Sequence, residues 1–301
     1  MAISTRIIRR RIKSIQNTKK ITKAMELVSA SKMRKSVNAV VATRPYATLA
    51  WETVNEVAKF TDPSLHPLLV KREAVRKILV VLITSNRGLC GGFNAQILKK
   101  VLEYKFNISE KECDFIAVGK KGQDAARRLK WNIVAAFADL SVAPSITDIQ
   151  PIAALAINDF KSGVYDKVVL AYTDFVSSLK QIPRVKELLP LSRIDGLGDL
   201  KSIAGKTQLT SAQQYQHEYI FEPSPIQVLD MMLPRLVEAQ IYQAILESGA
   251  SEHSARMVAM KNATESAGEM IDDLTFAFNQ VRQSVITREI AEISAGKAAI
   301  E

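Results

Sequence analysis

The sequence predicts an α/β protein in which two long terminal helices form an antiparallel coiled coil, with an α/β domain inserted between them. Three observations predict this class. Proline is absent from residues 1–44 and from residues 235–301. Within each of these stretches, apolar residues recur mostly three or four positions apart, which is the period of an amphipathic helix. Between them, apolar runs of strand length alternate with helical patterns, which indicates a layered α/β domain.

The N-terminal helix is assigned to residues 1–60. Its apolar positions are Ile3, Ile7, Ile8, Ile12, Ile15, Ile21, Met25, Val28, Met33, Val37 and Val40. Pro45 interrupts this pattern, and Pro63 and Pro67 mark a clearer break, since proline removes a helical hydrogen bond. At a rise of 1.5 Å per residue, the part before Pro45 alone spans roughly 60 Å.

The C-terminal helix is assigned to residues 224–301. Ser224 is suited to cap it and Pro225 to occupy its first position, whereas Pro234 is expected to bend it. A coiled-coil seam is indicated by steps of three and four through Met260, Ala263, Ala267, Met270, Leu274, Ala277 and Val281. A second, overlapping register runs through Ile271, Leu274, Phe278, Val281 and Val285. Because neither terminal helix can bury its stripe alone, and chain ends often lie close together, we expect the two helices to pair antiparallel.

The intervening domain is assigned to residues 75–222. Predicted strands at 77–85, 113–118, 133–138 and 167–173 alternate with predicted helices at 93–106, 122–130 and 147–161. This alternation predicts a mainly parallel sheet with helices on its faces, a Rossmann-like α/β domain. Residues 185–189 and 218–221 are expected to add strands. The polar segment 196–214 is expected to be a loop or disordered.

Composition bounds the class of protein. With 301 residues, 47% of them hydrophobic, the chain is long enough for a sizeable core. Two cysteines exclude a disulfide scaffold and fit a reducing compartment. No stretch approaches the roughly 18 uncharged apolar residues that a membrane span needs. The N-terminus has no secretory signal pattern either, so we expect neither a membrane span nor secretion.

The formal charge of +10 is concentrated at one end of the chain. Residues 1–45 contain twelve basic residues and one acidic residue, Glu26. Such a block is compatible with nucleic acid, anionic lipid, an acidic protein partner or a solvated helix face. A transit peptide is disfavoured, because the helical pattern runs unbroken without a cleavage point.

The glycine-rich segment 83–94, ITSNRGLCGGFN, is a candidate phosphate-binding or redox loop. Its glycines at 88, 91 and 92 do not follow the Gly-x-Gly-x-x-Gly spacing of dinucleotide-binding loops. A strand-to-helix turn that needs glycine's backbone freedom is therefore favoured. Cys90 follows the first strand and Cys113 begins the second. In a parallel sheet these positions are roughly 15–20 Å apart, and a disulfide requires less than about 7 Å between Cα atoms.

Other catalytic signatures are missing from the sequence. The segment GKT at 205–207 lacks the first glycine of a Walker A loop, because Leu200 stands at that position. The histidines lie in distant segments without metal-ligand spacing: His66, His217 and His253. No Gly-x-Ser-x-Gly motif is present. We therefore expect no catalytic residue, no metal site and no cofactor in this chain.

Five segments together carry a family resemblance. They are RIKSIQNTKKITKAMELVSASKMRK at 11–35, SNRGLCGGFN at 85–94, YIFEP at 219–223, ARMVAMKNAT at 255–264 and RQSVITREIAEI at 282–293. In this order they closely resemble the γ subunits of F-type ATP synthases. The chain has no long cysteine-bearing insertion of the kind that chloroplast members use for redox control. This absence favours a bacterial-type member.

The resemblance implies a role as the central shaft of a rotary complex. In that family the terminal helices form a coiled coil inside a ring of α and β subunits, and the α/β domain lies near the ε subunit and the membrane c-ring. Torque passes between the c-ring and the β subunits, which carry the catalytic residues with help from α. The implied location is peripheral, at the cytoplasmic face of the bacterial inner membrane. The basic N-terminal helix would complement an acidic lever segment of β.

The resemblance also implies partner-binding residues. Contacts with β subunits are implied at Arg282, Gln283, Thr287, Met25, Lys23, Arg256, Arg87 and Cys90, and contacts with the ε subunit and the c-ring at Tyr219 and Glu222. For Met25, packing within the coiled coil is an equally good interpretation. Cys90 is interpreted as a small packed residue beside the contact that Arg87 makes.

Two alternative functions stay open at this level. A nucleic-acid-binding coiled-coil protein is suggested by the basic helix. However, aromatic residues make up only 6% of the chain and none lies among the first 45 residues, which disfavours base stacking. A nucleotide-dependent enzyme built on the α/β domain is the other alternative.

Overall fold

The computed structural model describes residues 5–59, 66–72, 74–108, 111–138, 140–142, 144–191 and 224–298. Within these ranges helices and strands follow in the order α1 (Thr5–Lys59), β1 (Lys77–Ile83), α2 (Phe93–Asn107), β2 (Glu112–Val118), α3 (Lys120–Arg128), β3 (Asn132–Phe137), α4 (Ile146–Lys161), β4 (Lys167–Phe175), β5 (Gln181–Leu189) and α5 (Pro225–Ala298). Each strand and helix predicted within these ranges is present. The strand expected at 218–221 and the loop expected at 196–214 lie outside the described residues.

The chain divides into two compact units. Met1–Ala30 and Arg256–Glu301 form the first, which we call the coiled-coil unit, and Ser31–Ala255 form the second, which we call the α/β unit. Each of the two long helices, α1 and α5, contributes a segment to both units. The two units are described separately below.

In the coiled-coil unit, α1 and α5 pair antiparallel as expected. The guanidinium carbon of Arg9 lies 5.5 Å from the ring centroid of Phe278. Further along α1, the hydroxyl of Thr264 donates a hydrogen bond to the hydroxyl oxygen of Thr22 at 2.8 Å. Contacts that advance along α1 therefore recede along α5, which is the signature of antiparallel pairing.

The packed side of α5 includes both predicted registers, because every residue of the first except Met270 and every residue of the second except Val285 is buried or half-buried. Met270, which the first register places in the seam, is 55% exposed, whereas Ile271 is half-buried. Thr264 faces α1 through its bond to Thr22, and Ala267 is buried. The seam thus steps from Thr264 to Ala267 and Ile271. The first register was wrong at Met270. A pattern of apolar residues alone does not include Thr264, yet this residue lies on the side of α5 that faces α1. Its hydroxyl is hydrogen-bonded there to Thr22 and to the backbone oxygen of Met260.

The apolar stripe of α1 is narrower than the sequence predicts. Ile8 is buried, and Ile12 and Ile15 are half-buried. Ile7, Ile21 and Val28, which also belong to the predicted stripe, are all more than half exposed; at the far end of α5, Val285 is also exposed. A two-helix pair covers only one side of each helix, so these residues remain open.

In the α/β unit, a five-stranded sheet has the order β3-β2-β1-β4-β5. The first four strands are parallel, and β5 runs antiparallel to β4, so the predicted mainly parallel sheet is confirmed. Alternate side chains of β1 point to opposite faces. One face packs against α4 and the part of α5 that belongs to this unit, and the other against α2 and α3.

Both long helices contain an internal proline: Pro45, which was expected to interrupt α1, and Pro234, which was expected to bend α5. α1 runs through Pro45 to Lys59, and α5 runs through Pro234. In the α/β unit the hydroxyl of Thr43 donates to the side-chain oxygen of Gln243 at 2.8 Å, two residues before Pro45. Tertiary packing beside the proline offsets the hydrogen bond that proline removes. The predicted cap of α5 is also present, since the amide of Gln227 donates to the hydroxyl oxygen of Ser224 at 3.4 Å.

A buried histidine ties the segment before β1 to the first turns of α5. The Nδ1 atom of His66 accepts the backbone N–H of Leu68 at 3.2 Å, so Nε2 carries the hydrogen and donates to Asp230 at 2.9 Å. Burial lowers the pKa of His66 below its ordinary value, although Asp230 acts in the opposite direction and Lys161 adds to the lowering. Protonation at Nδ1 would remove the acceptor for the amide of Leu68.

We expect the chain to lose stability below about pH 6.5 through His66. Because the pKa is lower in the folded state, the unfolded chain binds more protons as the pH falls, which favours unfolding. The free energy of unfolding, measured in urea from about pH 7.5 to about pH 5.5, should fall less for His66→Gln than for the wild type. Parallel pH dependence in the two proteins would contradict this role of His66.

Candidate interaction surfaces

The basic side chains of α1 are exposed along the first part of the helix. Every lysine and arginine from Arg6 to Lys35 is exposed. Among the described residues of this stretch, the one ion pair runs from Lys23 to Glu26 at 3.0 Å, within the same helix. We call this set the basic face. Since no described residue of α5 forms an ion pair with these side chains, their charge is left for an acidic partner.

Two expected contact residues lie on this part of α1. Lys23 is exposed and paired with Glu26. Met25 is half-buried, and its backbone oxygen accepts the hydroxyl of Ser29 at 2.7 Å. Part of the Met25 side chain therefore belongs to the packed side of the coiled-coil unit, and part is accessible, so both interpretations given from the sequence remain compatible with its position.

The last part of α5 presents an exposed mixed surface. Every residue from 282 to 295 is exposed, including Arg282, Gln283 and Thr287. The same segment exposes the apolar residues Val285, Ile286, Ile290 and Ile293. Apolar residues exposed together in one segment make it a candidate surface for contact with another molecule. Arg256, by contrast, is only 8% exposed, which limits the area that a partner can reach there.

The loop between β1 and α2 is held by a small hydrogen-bond network. The amide of Ser85 donates to Oδ1 of Asn94 at 3.1 Å, and Nδ2 of Asn94 donates back to Oγ of Ser85 at 2.7 Å. The hydroxyl of Ser85 donates to the carbonyl oxygen of Arg87 at 2.8 Å. Asn94 therefore closes the loop from the first turn of α2. Sequence reasoning did not single out this residue, because its partner Ser85 lies nine positions earlier in the chain.

The same loop contains two residues in the left-handed backbone region. Gly91 has φ of 56°, which confirms the expected need for glycine at this turn. Leu89 has φ of 63° and is 62% exposed, an uncommon conformation for a leucine. The turn directs Leu89 outward, and Arg87 is also exposed. This loop thus presents one cation and one apolar side chain from a fixed backbone.

Cys90 lies beneath this loop as a packed residue. It is 2% exposed, and its Sγ accepts Nδ2 of Asn94 at 3.3 Å. Cys113 is half-buried, and burial raises the pKa of its thiol. Cys113 pairs with Ile78 at the start of β1, whereas Cys90 follows the end of that strand. Both cysteines are free, which confirms that they do not form a disulfide.

The described residues also bear on the expectations about metal sites and membrane spans. Over the described ranges, no group of three or more His, Cys, Asp and Glu side chains is arranged to hold a metal ion. Among the helices described here, none has the length and apolar character needed to cross a membrane. Tyr219, Glu222, His217 and the segment 205–207 lie outside the described residues.

We expect Asn94→Ala to expose Cys90. Loss of the hydrogen bonds to Ser85 and Cys90 should cost about 1–2 kcal/mol and open the loop. The rate of maleimide labelling, measured in a Cys113→Ser background so that one thiol remains, should rise in this variant. Asn107→Ala, at the exposed end of the same helix, is the matched control. Equal labelling rates in the two variants would show that Asn94 does not hold the loop.

Comparisons with known proteins identify the family that this chain resembles. The ATP synthase family profile matches residues 4–300. The chain is 42% identical over 306 residues to the ATP synthase gamma chain of Herpetosiphon aurantiacus, covering 99% of each. It is 42% identical over 298 residues to the ATP synthase gamma chain of Pelotomaculum thermopropionicum, again covering 99% of each.

Solved structures with a similar fold come from the same kind of complex. A chain of the central stalk and c-ring structure of the Tetrahymena thermophila mitochondrial ATP synthase aligns with a TM-score of 0.58 and 26% identity, covering 81% of this chain and 99% of that one. A chain of the Euglena gracilis mitochondrial ATP synthase aligns with a TM-score of 0.66 and 19% identity, covering 98% and 94%. At 19% identity, the second likeness supports the fold alone.

Proposed function

The chain belongs to the ATP synthase γ-chain family, and from that membership we propose that it is the central-stalk rotor subunit of an F-type ATP synthase. In this role it transmits torque between a membrane c-ring and the catalytic β subunits. The observation that carries the proposal is the 42% identity to γ chains over 99% of both sequences. The likeness to a solved central-stalk chain at 26% identity supports the same role.

The antiparallel pairing of α1 and α5 suits a part that must resist twisting. A single helix bends and twists easily, whereas two helices joined by a heptad seam restrain each other along the contact. The contacts between Arg9 and Phe278 and between Thr22 and Thr264 show that the pairing extends over several turns. A paired rod therefore supports torque transfer better than either helix alone.

The basic face suits a surface that turns against an acidic sleeve. A rotating contact must break and re-form, so it cannot depend on extensive apolar burial. Ion pairs at an exposed surface are individually weak, about 0–1 kcal/mol, yet many of them together orient the partner. The exposed basic residues from Arg6 to Lys35 therefore fit an acidic segment of the β subunits.

Residues of the exposed segment 282–295 are proposed to contact β as well. The side chains of Arg282, Gln283 and Thr287 are all exposed and bring hydrogen-bonding groups beside apolar neighbours. Such a mixture suits a partner loop that combines polar and apolar contacts. Lys23, Met25 and Arg256 are proposed as further β contacts, with Arg256 limited by its burial.

The loop between β1 and α2 is proposed as another β contact. Arg87 is exposed on a backbone held by Ser85 and Asn94, so its charge is presented without a large ordering cost. Cys90 supports the loop from beneath rather than touching a partner. Tyr219 and Glu222 are proposed contacts for the ε subunit and the c-ring.

The chain is proposed to be a non-catalytic subunit. Catalysis is assigned to the β subunits of the complex, with the α subunits contributing, and this chain is assigned the mechanical step. We place it at the cytoplasmic face of the bacterial cell membrane, held there through its partners. The basic face alone would also fit a nucleic-acid-binding protein, but family membership over the full chain favours the rotor.

Assembly tests this function directly. We expect the chain to co-purify with α and β subunits, and the ATPase of that assembly to drive proton pumping once the ε subunit and a c-ring are present. The purified chain by itself should hydrolyse no ATP. ATP hydrolysis by the isolated chain, or failure to join the α and β subunits, would overturn the proposal.

Within that assembly, we expect Arg282→Ala to weaken coupling. A hydrogen bond from a charged group is worth about 1.5–3 kcal/mol, and its loss at the β contact should lower proton pumping per ATP hydrolysed. The thermal unfolding of the isolated chain should not change, because the side chain is exposed. Lys261→Ala, another exposed change on α5 with no implied contact, is the control. Unchanged pumping in the Arg282 variant would remove this residue from the interface.

A further inference from the structure

Strand β4 continues past the point where its parallel neighbour stops pairing with it. The register between β1 and β4 ends at Leu82 and Ala171, whereas β4 extends to Phe175. Thr173 therefore has β5 on one side and no paired strand on the other. A buried backbone N–H or C=O on that open side needs another partner.

The opposite residue on β5 determines which way the backbone groups of Thr173 point. Thr173 pairs with Pro183, and proline has no N–H to donate. In an antiparallel ladder, such a position fits the pair type that exchanges no hydrogen bonds. The N–H and C=O of Thr173 consequently point away from β5, towards the side that β1 has left.

Two serines of α5 satisfy both groups. The amide of Thr173 donates to Oγ of Ser248 at 3.0 Å, and Oγ of Ser251 donates to the carbonyl oxygen of Thr173 at 3.3 Å. Ser248 and Ser251 are three residues apart and so share one helix face. All three residues are at most 3% exposed. We call Ser248 and Ser251 the serine clamp.

A third serine extends the same line of contacts. Oγ of Ser254 donates to the carbonyl oxygen of Ser178 at 2.6 Å, in the connection between β4 and β5. The hydroxyl of Thr173 itself is buried and has no partner among the described residues. The hydroxyls of α5 thus bond to backbone atoms of β4 and of the connection that follows it. These bonds hold the backbone of this part of the sheet against the helix.

We propose that the serine clamp positions the sheet on α5 and passes torque between them, an inference that rests on the proposed rotor function. Apolar packing is non-directional, so a helix can slide or turn against a sheet with little change in buried area. A hydrogen bond is directional, and a displacement of about 1 Å takes it beyond its normal length. The serine clamp therefore resists the relative motion that a twisting load produces.

The position of Thr173 on β4 suits the transfer of a mechanical force from α5 to the sheet. β4 lies between β1 and β5 in the strand order, so a force applied at Thr173 passes along β4 to its residues 168–171, which pair with strands on both sides. Beside it, Val40, Phe175, Leu246 and Ala250 form an apolar cluster. Replacing a clamp serine by alanine leaves that cluster intact, and we expect such variants to fold.

The first test measures the contact itself in the purified chain. We expect Ser248→Ala to accelerate hydrogen exchange at the amide of Thr173 roughly fivefold, the effect of losing one hydrogen bond of ordinary net strength. Exchange is measured by mass spectrometry on peptides that span β4. Ser266→Ala, at an exposed serine of the same helix, is the matched control. Equal exchange in the two variants would overturn the clamp.

The second test measures torque transfer in the assembled complex. With the α and β ring immobilised and the rotor stalled, a bead on the α/β domain should show a wider angular distribution in the Ser248→Ala/Ser251→Ala variant than in wild type or Ser266→Ala. Proton pumping per ATP hydrolysed should fall in the same variant. A merely structural role would lower stability without widening the angular distribution of a folded, assembled rotor.

The outcomes separate this inference from the rotor function. Faster exchange at Thr173 together with wild-type angular distribution and pumping would overturn the proposed transfer of torque. If the double variant fails to fold, Ser251→Ala alone, which removes one donor, is measured in the same two assays. If the wild-type chain fails to assemble or couple, the rotor function itself is rejected, and the proposed torque transfer falls with it.

Discussion

The structure depends on the need of two long amphipathic helices to bury their apolar sides. Neither α1 nor α5 can do so alone, and their pairing places the first turns of α1 beside the later part of α5. The pairing is antiparallel within the coiled-coil unit, as the contact between Thr22 and Thr264 shows. Within the α/β unit, Thr43 and Gln243 join the same two helices. The sheet and the helices that cover it are therefore inserted in the chain between α1 and α5, which pack against each other.

Because each helix of the pair buries only one side against the other, its remaining side is exposed and can contact partners. A two-helix pair has no interior in which to place charges, so the basic residues from Arg6 to Lys35 remain at the surface. The same geometry exposes the apolar residues of the segment 282–295. A shaft that turns inside a sleeve needs such a surface, with charged contacts that re-form and few that bind permanently. The exposed apolar residues are consistent with a chain that functions inside a larger assembly.

Periodicity predicted most of the fold because each element is locally consistent with its environment. The strands from Lys77 to Phe175 are apolar runs bounded by turns, and they lie where the sequence places them. The register of the seam was harder to predict, since a polar residue, Thr264, occupies a seam position and apolar Met270 does not. Pro45 is tolerated in α1 for a similar reason. In both cases, contacts with the other helix outweigh the local preference.

The sequence by itself determined the class of fold, the pairing of the two terminal helices and the family, because hydrophobic period, charge and motif order are local or additive properties. Only the tertiary structure decided which hydroxyls and amides meet across distant segments. The serine clamp on Thr173 and the closure of the β1–α2 loop by Asn94 depend on partners at sequence separations that periodicity does not encode. A directional hydrogen bond needs two groups placed within fractions of an ångström, and the packed fold supplies that placement.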